Sequence, residues 1–216
     1  MTLFALLSAF LTFVFVLSCL GGRAISSSVV FGPFARGAVS FFPAYLFIAW
    51  FEWGVAKQFM PGALYVWHAT GAFLIPFATL AVLGAFFLRP VFHEQPTEVF
   101  VALAAFGSGF ATAWALADLV FGSQYPGHYT LFLEPLLRIS AILFIPAVVT
   151  SAKATFGIVR ILYILLAPVW LFLLPFVPTL HYLGFFGWAI AAAVVFLAAA
   201  SGITYVLQGN YFRSYR

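Results

Sequence analysis

Residues 65–88 read YVWHATGAFLIPFATLAVLGAFFL. At 1.5 Å per residue, a helix of this length reaches about 36 Å. That exceeds the roughly 30 Å hydrocarbon core of a bilayer. The stretch contains no Asp, Glu, Lys or Arg; its ionisable side chain is His68, near one end, and Pro76 sits at its middle. An ionisable ring just inside lipid is costly and normally meets a partner. Finding the residues that reach the depth of His68 from the same side therefore becomes the functional question.

The rest of the chain repeats this character. Of 216 residues, 65% are hydrophobic and 6% charged, against about 25% charged in a soluble domain. The apolar runs predict an all-α polytopic transmembrane helical bundle of seven spans, with six as the alternative. The spans fall at about 3–20, 38–53, 63–88, 98–121, 131–150, 158–177 and 185–207. They form a single integral membrane domain over 1–216.

The run 3–20 reads as an uncleaved first span, because residues 1–20 lack the basic start that a secretory signal requires. Arg23 to Gly37, with three consecutive serines at 26–28, reads as a polar connection. Residues 60–62 (Met-Pro-Gly) and 125–127 (Tyr-Pro-Gly) mark turns. Residues 89–97 (RPVFHEQPT) carry two prolines that exclude a continuous helix. The sixth span holds Pro168 and Pro175, so a kink or an unwound last turn is expected. Residues 178–184, with His181, read as a tight turn.

A net charge of +4 would suggest nucleic acid in a soluble protein. Here the basic residues are scattered over loops and tail, so no nucleic-acid partner is expected and the charges set topology. Seven spans gather Arg23, Arg36, Arg89, Lys153, Arg160, Arg213 and Arg216 on one face, against Lys57 and Arg138 on the other. The expectation is N-terminus outside and C-terminus cytoplasmic. The lone cysteine, Cys19, excludes a disulfide framework or a CxxC pair. No phosphate-binding loop, nucleophile elbow or HExxH occurs.

With that orientation the polar residues sort by depth. Glu52, His68, Asp118, His128, Glu134, Arg138 and His181 fall on the outer side, while His93, Glu94 and Glu98 are interfacial on the inner side. Glu134 and Arg138, four apart, share a helix face and can form an ion pair; Arg138 could instead face an anionic group such as a propionate or lipid phosphate. Ala105, Gly109, Ala113 and Ala117 recur every four residues, a ridge suited to close helix packing in lipid. Trp50, Trp53, Trp67, Trp114, Tyr125 and Tyr129 read as an interfacial aromatic belt.

Four functions compete. The first is a structural subunit of a larger energy-transducing or transport complex, holding membrane lipid, quinone or pigment beside other subunits and doing no chemistry alone. The second is a b-type haem subunit of electron transport, with His68 and His181 as axial ligands and Arg138 on a propionate. The run His68-Ala69-Thr70-Gly71 resembles, over four residues, the histidine-then-glycine helices of membrane cytochrome b subunits.

The third is an outer-face metal enzyme using His68, Asp118, His128 and His181 to bind a metal ion. Its seven helices resemble in outline the alkaline ceramidase and progestin-receptor superfamily, without that family's histidines four apart in the last span. The fourth is a small-solute or ion transporter using proline-interrupted helices. The first is the reading preferred from sequence.

Overall fold

A computed structural model describes residues 27–55, 60–121 and 129–213. The run 3–20, Arg23 and the tail residues Ser214–Arg216 lie outside these, as do Cys19, Lys57, Tyr125 and His128. Among the described residues the chain is all-helical, with no strand. Its elements are α1 (Ser27–Gly54), α2 (Pro61–His68), a π-helical turn (Ala69–Leu74), α3 (Ile75–Phe87), a 3-10 turn (Val91–His93) and α4 (Pro96–Phe121). There follow a second π-helical turn (Tyr129–Leu133), α5 (Glu134–Ala154), α6 (Gly157–Leu173), α7 (Phe176–Tyr182) and α8 (Phe186–Arg213).

Six of the resulting rods are long and apolar enough to cross a membrane: Val29–Gly54, Pro61–Phe87, Pro96–Asp118, Glu134–Ala154, Gly157–Tyr182 and Phe186–Gly209. The central pair is α4 and α5, each 67% buried over its most apolar window, whereas the α6–α7 rod and α8 are 11% buried. Large side chains such as Ile158, Phe172, Trp188 and Val195 therefore point outward. In water such a surface would drive aggregation; against acyl chains it costs nothing.

The α1–α4 seam is the tightest. A Cβ built on Gly37 would fall on the Phe106 carbonyl oxygen, and one on Gly109 would fall on the Phe34 carbonyl oxygen. The two backbones touch, which only glycine allows. Gly37 thus belongs to a helix. The expected polar connection to Gly37 is corrected: Ser27 onward is helical, and Gly37 is a contact point within that helix.

Two further differences concern proline. Pro76 and Pro135 each lie within two residues of the start of an α-helix that a π-helical turn precedes. Having no N–H, proline cannot donate to the carbonyl four residues back. In the first π-helical turn the Ile75 N–H bonds Thr70 O, five residues back. At the other proline break, α6 ends at Leu173, Pro175 precedes α7, and the chain continues helically to Tyr182. His181 is therefore a buried residue of a helix and not in a tight turn. The reversal is confined to Leu183–Phe185, where Gly184 has φ +84°; Gly157, at the start of α6, has φ +64°.

Alternating helices send the chain to the same end at Arg36, Arg89, Lys153 and Arg160. Arg36 Nη1 donates to Phe87 O at 3.0 Å, and Lys153 Nζ donates to Glu94 O at 2.7 Å. The basic side chains thus satisfy carbonyls where α3 and the following loop end. The opposite end carries the acids and histidines discussed next.

Candidate functional site

Arg138 stands in the second turn of α5, where a lone guanidinium would be unstable in lipid. Its Nη2 donates to Glu134 Oε1 at 2.6 Å and to Asp118 Oδ2 at 3.1 Å. The first partner lies one turn away on the same helix; the second comes from the end of α4. The three side chains are 17%, 11% and 19% exposed, so water screens them little. Arg138 also lies over the Trp114 ring. With both carboxylates ionised, two negative charges face one positive charge, and the cluster has a formal charge of −1.

The cluster closes one end of a narrow pocket of about 100 Å³ between α3, α4 and α5. Its walls are apolar: Phe73 and Phe77 from the rod containing α3, Gly107 and Ala111 from α4, and Ala141 and Ile145 from α5. The small residues explain the space, since a Cβ on Gly107 would already press to 3.3 Å from Ile142 Cγ1. Along α5 the lining runs from Glu134 to Val149, roughly 22 Å at 1.5 Å per residue. An apolar pocket with an ionic end suits an alkyl chain and a compact head.

Glu134 Oε2 is buried with no hydrogen-bond partner, in a residue 8% exposed that lines the pocket. Tyr129, 2% exposed, lines the same space from the second π-helical turn. Its ring lies 5.1 Å from that of His181.

His68 and His181 are brought to the same end of the bundle. His68 is 0% and His181 4% exposed. Their rings lie 5.1 Å and 6.4 Å from the ring of Tyr182, centroid to centroid. Trp67 and Phe186 complete the aromatic surround, at 5.2 Å from His68 and 5.0 Å from His181.

Asp118 is held by Arg138 on α4 and α5, and His128 lies outside the described residues. Among the described residues no three His, Cys, Asp or Glu side chains come together as a metal cage. The ridge Ala105–Gly109–Ala113–Ala117 faces α1 through Gly109, while Ala113 and Ala117 pack against Phe41, Ala44 and Phe110. The aromatic belt needs correction. Trp50 and Trp53 are exposed, but Trp67 and Tyr129 are buried and Trp114 lies under Arg138.

Sequence reasoning did not join Asp118 to Arg138, nor find the pocket. One signal was available: Trp114 and Asp118 are four apart, on one helix face, and an acid there at the depth of Arg138 is a natural counter-ion.

The chain matches no protein-family model, no curated protein and no solved structure. Its class rests on the helices alone: among the described residues it is all-helical, with six helices long and apolar enough to span a membrane, which makes it a candidate multi-pass membrane protein.

Proposed function

We propose that this protein is a non-catalytic, multi-pass membrane subunit that holds an amphiphile, of the lipid or quinone class, in the pocket between α3, α4 and α5. The observation that carries this reading is the combination of a narrow apolar slot with a buried ionic cluster at one end. Such a slot suits a tail, and the cluster suits a head. The outward apolar faces of α6 and α8 are available to lipid or to neighbouring subunits of a larger assembly. The basic end, with Arg36, Arg89, Lys153 and Arg160, is the cytoplasmic one in this reading, with the C-terminus on that side.

The test is extraction in mild detergent followed by native mass spectrometry. Wild-type protein is expected to retain a lipophile that Ala111→Leu, which fills the slot, loses. Equal retention by both, with the variant folded, would defeat the proposal. Copurifying subunits in fixed ratio are expected as well.

A second reading, haem ligation by His68 and His181, is supported by their burial at one end against Tyr182. It requires a reduced-minus-oxidised haem spectrum that disappears in His68→Ala. A purified protein without such a spectrum removes it.

A further inference from the structure

The geometry points to a ligand head that donates a hydrogen bond and carries no negative charge: a hydroxyl or an ammonium group, received by Glu134 Oε2. This deepens the amphiphile-binding reading above and rests on it. Arg138 is the cation at the end of the pocket, yet its Nη2 is already shared by Asp118 and Glu134. An incoming carboxylate or phosphate would meet Glu134 on the pocket wall beside a guanidinium whose Nη2 is already shared between Glu134 and Asp118. In a dry site that encounter is repulsive, because screening there is weak.

Glu134 presents the complementary feature. One carboxyl oxygen is occupied by Arg138, and the other is buried, lines the pocket and has no partner. A buried carboxylate oxygen left unsatisfied costs more than an ordinary lost hydrogen bond. A donor arriving along the slot removes that cost. The head is consequently selected by acceptance at Glu134, and the chain by the apolar walls. A neutral ester or a fatty acid fills the same walls but leaves Oε2 as it was.

Four probes of one chain length separate these elements: hexadecanol, hexadecylamine, methyl palmitate and palmitate. Binding is read by native mass spectrometry on delipidated full-length protein in non-ionic detergent, with Ala111→Leu as the blocked-pocket control. Hexadecanol and hexadecylamine are expected to bind at least about tenfold more tightly than the other two, a difference of about 1.4 kcal/mol.

Glu134→Gln keeps the shape while turning its amide oxygen to Arg138 and its NH₂ to the pocket, so hexadecylamine, a donor only, is expected to lose its advantage, methyl palmitate and palmitate to gain, and hexadecanol, whose hydroxyl also accepts, to be retained. Methyl palmitate or palmitate binding the wild type as well as hexadecanol overturns the donor requirement and leaves the amphiphile reading standing. Failure of all four probes, or binding unchanged by Ala111→Leu, overturns that reading as well. Intact helical circular dichroism of each variant separates either result from misfolding.

Discussion

The Arg138 guanidinium carbon lies 4.5 Å from the centroid of the Trp114 ring. The ring belongs to α4 and the cation to α5, so the two most buried helices are joined by a cation–π contact as well as by the bond from Arg138 to Asp118. A guanidinium uses its edge for carboxylates and its face for an aromatic ring, which lysine cannot do.

Removing the cation should therefore be severe. Arg138→Gln leaves Asp118 and Glu134 buried together without a counter-charge, and a loss of about 3–5 kcal/mol is expected. Thermal unfolding in detergent would measure it. Adding Glu134→Gln to Arg138→Gln should recover part of the loss; a double variant no better than the single one would show that the charges are uncoupled.

The α1–α4 seam gives a steric prediction with internal controls. Gly37→Ala and Gly109→Ala each place a methyl group on a backbone carbonyl. Each is expected to destabilise by about 1–3 kcal/mol or more, the usual range for overpacking. Gly32→Ala and Gly202→Ala meet nothing within 4 Å. They should be neutral or stabilise by up to about 1 kcal/mol, since alanine favours helix. Equal midpoints for all four variants would contradict the close approach.

At the basic end, Gln208 Nε2 donates to Thr150 Oγ1 at 2.7 Å across α8 and α5, while its buried Oε1 has no partner. Interhelical bonds of this kind average about 0.6 kcal/mol and reach about 1.7 kcal/mol in membranes. Gln208→Leu should cost less than that upper figure, because it also deletes the unsatisfied oxygen. A larger fall in the unfolding midpoint would mean that this bond anchors α8.

Orientation is testable by labelling single cysteines in a background with Cys19 replaced. A cysteine at Met60 is expected to react with a membrane-impermeant maleimide added outside intact cells. One at Glu94 should react only after permeabilisation. The reverse pattern would invert the topology.

Much of the architecture was legible as hydrophobic length. Runs such as 65–88 exceed a bilayer's thickness, and no soluble helix needs that many apolar residues without interruption. The Glu134–Arg138 pairing was equally open to reading, because four-residue spacing is local. Asp118 was harder: its partner lies twenty residues on, in another helix, and only packing brings them together. The stretch up to Gly37 read as a polar connection because of its serines and arginines, whereas a neighbouring backbone makes Gly37 a contact point inside α1. His181 was misplaced for a related reason, since proline at 175 interrupts the rod without ending it. The pocket had no linear signature, being space left by Gly107, Ala111 and Ala141 on two different helices.

Gly157 and Gly184 hold positive φ with nothing within 4 Å of where a side chain would begin. There is room for a methyl group at either position, and the obstacle is handedness. An L-alanine would be strained there by about 1–2 kcal/mol, while its mirror image, introduced by chemical synthesis, would settle without protest. The two ends of the α6–α7 rod are thus set by chirality, independent of what lipid or protein surrounds them.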